Sequence, residues 1–249
     1  MKEGGATLGA SLLFAIELTI LYAAGSYVMG RLMRISGFGG GSTILGRMAF
    51  YLLVFPGVVF HESAHYLACV LTGTKVFRFA PFSPRTSADS RLVLGYVRHE
   101  RRAFPLEAII GLAPIVFNPL GLVLGTALLT PLTFQEVANP SVGVLKEGIL
   151  TSGFLTDTPL LGFGWTYLTL SFALGSVPSR EDLSSLPIML LIFGGGIFFI
   201  SLFRVGSQNV LSSAIYDLFA LAAGLYALPA TVAAVGAVTI WLWERTSRY

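Results

Sequence analysis

The sequence predicts an all-α membrane protein of about six transmembrane helices, with a small β-hairpin-like loop after the second helix. Three observations lead there. Of 249 residues, 54% are hydrophobic and only 12% are charged, and the mean hydropathy is +0.76, far from an ordinary soluble domain. Apolar runs long enough to cross a bilayer recur along the whole chain. Between the second and third runs lies a segment of alternating character bounded by turn residues. Residues 1–249 read as one polytopic domain, with 74–103 as a basic interfacial loop within it.

The runs are Leu8 to Met33, Met48 to Gly73, Phe104 to Leu132, Pro159 to Val177, Leu186 to Phe203 and Val210 to Trp243. The first is too long for a signal-peptide core and lacks a strongly basic leader, so it reads as a retained span. The last contains Gly224 and Pro229. It is either one kinked, tilted helix or a span plus a short re-entrant piece, which would make a seventh membrane element. In the loop, Lys75 to Phe82 alternates basic and apolar residues, and Leu92 to His99 is rich in Val, Leu and Tyr. Pro81, Ser83, Pro84, Ser87 and Asp89 between them supply turn chemistry. A hairpin edge there can take up an extended substrate segment as an added strand. Its arginines can equally anchor the fold at lipid headgroups. His99 reads as an exposed loop residue.

Six spans with both termini cytoplasmic place Lys2, Lys75, Arg78, Arg85, Arg91, Arg98, Arg101, Arg102, Arg180, Arg245 and Arg248 inside, eleven of the sixteen basic residues. The chain is thus expected to be an integral multi-pass protein of the cell membrane. Its net charge of +3 reflects this topology. No basic patch with interleaved aromatics and no nucleic-acid motif is present, which excludes nucleic acid and leaves the lipid bilayer and membrane proteins as partners.

Inside the second run, His61, Glu62, Ser63, Ala64 and His65 form HExxH. On a helix, positions i and i+4 share a face, so both imidazoles can converge on one metal ion. Glu62, three residues before His65, can take a proton from a water at that metal. A charged residue at the centre of a span costs roughly 2.5–3.5 kcal/mol to insert, so this cluster points to function. Zn2+ suits two imidazoles and a carboxylate. Arg180, Glu181 and Asp182 follow the fourth run on the same predicted side as His65, so a carboxylate there can approach the imidazoles without crossing the bilayer. The single Cys69 excludes an internal disulfide. Although it lies four residues after His65, it reads as a packing residue. Glu17, Glu107 and Asp217 lie within or near other spans, and with the HExxH residues they could line a metal or proton transport pathway.

The chain resembles the site-2 protease family of intramembrane zinc metalloproteases. The likeness is carried by His61 to His65 within Phe60 to Ala68, by Gly111 to Asn118 (GLAPIVFN) and by Gly175 to Leu183 (GSVPSREDL). It implies a zinc site within the membrane, built from the HExxH helix and an Asp ligand on a later segment. It also implies hydrolysis of peptide bonds in or near transmembrane segments of membrane protein substrates. The family's later motif opens with Asn, continues through Pro and ends in Asp-Gly. Here Pro178 and Asp182 fit, no Asn opens the motif, and Leu183 follows the Asp. Asp182 is the favoured third ligand, with Glu181 and Asp217 as competitors. Ser179 to Asp182 also has the spacing of a capping box. Ser176 or Asn118 would replace the missing Asn as a substrate or transition-state contact. Asn118 could instead bond helix backbone beside Pro114 and Pro119. The reading is a zinc metalloprotease, His61, His65 and Asp182 holding metal and Glu62 catalytic. The alternatives are a metal or proton transporter and an inactive zinc-binding relative.

Overall fold

The computed structural model describes residues 2–37, 44–86, 92–133, 157–177, 179, 182 and 208–246. Five long helices dominate the described residues: α1 (Lys2–Ile35), α2 (Ile44–Leu71), α3 (Leu106–Leu129), α4 (Pro159–Gly175) and α5 (Gln208–Thr246). Among the described residues, four of them, α1, α2, α3 and α5, are long and apolar enough to cross a membrane. This is a multi-pass membrane protein. Leu45, Leu128 and Leu160 are 76%, 83% and 82% exposed, as suits side chains that face hydrocarbon rather than water. The six-span count is not reproduced among the described residues: α4 has only 17 residues, near the lower limit for a span, and the run Leu186 to Phe203 lies outside them. The last run forms one continuous helix of 39 residues with Pro229 inside it, so it contributes no separate seventh element.

Side-chain partners fix the direction of each helix. His65 meets Ile110 and His61 meets Asn118, so α2 and α3 are antiparallel. Tyr167 bonds Leu52, Ser171 bonds Gly57 and Gly175 bonds His61, so α4 runs parallel to α2. Phe14 packs on Phe219 and Tyr226, and Arg31 pairs with Glu244 at 2.8 Å, so α5 runs parallel to α1. The start of α1 and the end of α5 therefore lie at opposite ends of the bundle. This corrects the expectation that both termini share one side. Hydropathy counts crossings and assumes that each run crosses once, whereas direction depends on which side chains meet.

Prolines organise the packing. A helical proline leaves the carbonyl four residues earlier without its donor, and in a membrane that carbonyl needs another. Pro56 in α2 frees the Leu52 carbonyl, which accepts the Tyr167 hydroxyl at 2.8 Å. One turn on, the Gly57 amide donates to Ser171 Oγ at 2.9 Å. Pro119 in α3 frees Ile115, whose carbonyl accepts the Tyr226 hydroxyl at 2.5 Å. Gly57 and Gly175 let α2 and α4 touch backbone to backbone: a Cβ on Gly57 would lie 2.0 Å from the Ser171 oxygen. Small residues permit this close approach.

After α2 the chain forms β1 (Val76–Ala80), β2 (Arg85–Thr86), β3 (Leu92–Val93) and β4 (Tyr96–His99). Strands β1 and β4 pair antiparallel, as do β2 and β3. The expected hairpin is present, but it is not confined to the interface. Phe79 stacks on Tyr66 with centroids 4.7 Å apart, and Phe82 packs edge-on against Phe55 at 4.9 Å and Tyr51 at 6.1 Å. The loop thus doubles back along α2 over roughly 20 Å of helical rise. Its aromatic side chains have partners on the helix, and the ladder pairs the backbone groups that β1 and β4 turn toward each other. Ser87 and Asp89 of the expected turn lie outside the described residues.

Candidate metal centre

His61, His65 and Asp182 come together with one potential ligand atom each inside a 4.8 Å span, forming a group that can hold a metal ion. Nε2 of His61 lies 3.4 Å from Asp182 Oδ2, and Nε2 of His65 lies 3.1 Å from Oδ1. Two ligand atoms on a tetrahedral ion with bonds of 2.0–2.1 Å are separated by about 3.3 Å, so the spacing fits one small cation. The other ring nitrogens set the chemistry. His61 Nδ1–H donates to the Gly175 carbonyl at 2.9 Å and His65 Nδ1–H to the Ile110 carbonyl at 2.8 Å. A carbonyl only accepts, so each proton sits on Nδ1 and each neutral ring offers a lone pair at Nε2. Two lone pairs and a carboxylate facing one another in a buried site repel unless a metal ion or protons lie between them.

Both carbonyls are available for reasons written in the sequence. Pro114 leaves the Ile110 carbonyl without its helical donor, and His65 takes it. Gly175 is the last residue of α4, where carbonyls lack intrahelical partners. The parallel packing of α4 on α2, fixed at Leu52 and Gly57, delivers that carbonyl to His61. Asp182 is 4% exposed. It exchanges two hydrogen bonds with Ser179: the Ser179 amide donates to Oδ2 at 2.7 Å, and the Asp182 amide donates to Ser179 Oγ at 3.1 Å. The capping-type pair and the approach to the imidazoles, alternatives in the sequence, coexist in one carboxylate.

Glu62 lines a cavity of about 550 Å³ together with His61, His65 and Asp182. The segment Leu92 to Val97 forms one of its walls, and Gly95 comes so near that a Cβ there would lie 2.7 Å from Glu62 Cγ and 2.7 Å from the Pro81 carbonyl oxygen. His99, expected to be a plain loop residue, also lines this cavity, as does Glu107. Asn118 and Ser176 do not. Asn118 is fully buried and its amide donates to the Gly175 carbonyl, the same oxygen that holds His61. Ser176 is 2% exposed, and its hydroxyl bonds back to Phe172 at 2.7 Å. In this structure one supports a ligand, and the other ends α4. Asp217 is exposed on α5, outside the cavity lining, and Glu181 lies outside the described residues. Cys69 is fully buried among Ala64, Ala68 and Ile110, as a packing residue should be.

Sequence reasoning missed Gly95, Gly57 and the carbonyls of Gly175 and Ile110. Proline four residues after Ile110 was the available signal for one of them. No family model, curated protein or solved structure matches the chain.

Proposed function

We propose that this chain is a membrane-embedded zinc endopeptidase, similar to site-2 proteases, that hydrolyses peptide bonds in or near transmembrane segments of other membrane proteins. The observation that carries the reading is the convergence of the Nε2 atoms of two imidazoles and a carboxylate beside Glu62 in one cavity. His61, His65 and Asp182 would hold the ion. Zinc bound there supplies Lewis acidity, polarising a carbonyl and lowering the pKa of a water to about 7. Glu62 accepts the water's proton and passes it to the leaving amine. The wall from Leu92 to Val97 can guide an unwound, extended substrate past Glu62. Most described basic residues gather at the loop end of the bundle, including Lys75, Arg98, Arg101 and Arg102, so this end is the cytoplasmic one in our reading. Transport has less support, since neither Glu17 nor Asp217 lines the cavity.

The test pairs metal content with cleavage. The purified chain should hold about one zinc, as a single site requires. Glu62→Gln should keep that zinc and stop cleaving a transmembrane substrate in proteoliposomes, whereas His61→Ala should lose both. A Gln variant that cuts at the normal rate would remove Glu62 from the mechanism. Wild-type protein that binds zinc and cuts nothing would favour the inactive relative.

A further inference from the structure

Strands β1 and β4 set two like charges opposite each other, Arg78 against Arg98 in the ladder. Such a pair destabilises an antiparallel ribbon, and no carboxylate in the described chain offsets it. Arg78, Arg98 and Arg85 of β2 have no carboxylate within ion-pair distance among the described residues. Instead Arg78 and Arg85 gather round one ring. Tyr96 lies on the same face of β4 as Arg98. The guanidinium of Arg85 is 4.2 Å from its centroid and that of Arg78 is 5.7 Å away. The opposite face of the ribbon carries Phe79, stacked on Tyr66, and Val97, packed in the α2–α3 core. The arginine face therefore turns away from α2, and all three arginines are exposed.

The surroundings indicate what covers them. The ribbon begins at the end of α2, where Val70, Leu71 and Phe77 are 54%, 73% and 63% exposed. These apolar side chains suit hydrocarbon. Lys75 lies about 10 Å along the strand from Arg78, a distance that long basic side chains bridge by snorkelling. We propose that Arg78 and Arg85, organised on Tyr96, and Arg98 opposite Arg78 bind the phosphate of an anionic phospholipid headgroup. Guanidinium forks match phosphate oxygens in pairs, and an anion between Arg78 and Arg98 turns their repulsion into attraction. A lipid fits better than an acidic polypeptide, because the neighbouring exposed apolar residues offer a bed for its acyl chains. The proposal does not depend on the peptidase reading.

The full-length chain in detergent micelles, titrated with phosphatidylglycerol or phosphatidylcholine and weighed by native mass spectrometry, should retain the anionic lipid selectively. Arg78→Gln should weaken that retention about fivefold, the usual worth of one basic residue at an anionic membrane surface, and the double variant with Arg98→Gln roughly twenty-five-fold. Arg78→Lys, which keeps the charge without the fork, should fall between wild type and Gln. In lipid-free detergent Arg98→Gln should be no less thermally stable than wild type, which separates a binding role from a structural one. Equal retention of both lipids, unchanged retention by the double variant, or displacement of the lipid by inorganic phosphate or an acidic peptide at matched concentration would overturn the proposal.

Discussion

Asn118 and His61 share one acceptor, the carbonyl oxygen of Gly175 at the end of α4. The imidazole that presents Nε2 to the cavity is thus held by a backbone group that a second, fully buried side chain also holds. Outer-shell partners of this kind typically contribute 10–100-fold in metal affinity. Asn118→Ala should weaken zinc binding by at least about tenfold in a chelator-competition titration. Asn118→Asp, which removes the donor while keeping the volume, should do the same. Unchanged affinity in both would show that Gly175 needs no help from α3.

Asp182→Asn should reduce zinc affinity more than any outer-shell change, by well over about a hundredfold, since a neutral amide is a poor zinc ligand. Asp217→Asn should leave affinity at the wild-type value, because Asp217 is exposed on α5 and stands apart from the ligand group. The reverse ranking would transfer the third ligand to the last helix.

Gly95 separates binding from turnover. A Cβ at this position would press on Glu62 and on the Pro81 carbonyl, while His61, His65 and Asp182 are left alone. Gly95→Ala should retain about one zinc yet lose about a hundredfold in cleavage rate, the low end of what a displaced general base costs. Loss of zinc together with rate would show that the wall also supports the ligands.

Tyr167→Phe tests the proline mechanism. Removing the hydroxyl leaves the Leu52 carbonyl without the bond that replaces its helical donor. Hydrogen bonds between membrane helices average about 0.6 kcal/mol and reach about 1.7. Unfolding in mixed micelles should register a loss in that range, and no loss would mean that Leu52 finds another donor.

The parallel course of α1 and α5 predicts accessibility. In a Cys69-replaced background, a cysteine at Arg98 and one at Thr246 should label from opposite faces of the membrane, whereas Ile44 and Thr246 should label from the same face. Labelling of Arg98 and Thr246 from one side would contradict the pairing of Arg31 with Glu244.

HExxH was legible because helical spacing alone brings His61 and His65 to one face, and a polar cluster in an apolar run has few structural uses. Asp182 was within reach because a ligand set of two imidazoles needs an anion and few acidic residues lie near. The tautomers were not legible: they are set by main-chain carbonyls, and a carbonyl has no letter in the sequence. Pro56 and Pro114 marked where such groups come free, but which helix answers depends on packing. The direction of α5 escaped for a related reason, since an apolar run reads the same from either side of a bilayer. Asn118 was noticed for its chemistry, but which backbone carbonyl its amide meets was not legible, because a buried amide and an exposed one are the same residue on paper.

Gly57 and Gly175 meet with no side chain between them, and the carbonyl at that contact also determines which nitrogen of His61 carries the proton. The separation of two lipid-bathed helices and the basicity of a ligand are consequently one mechanical coordinate. A methyl group wedged at this crossing would part α2 from α4 and loosen the hold on His61 Nδ1 in the same movement.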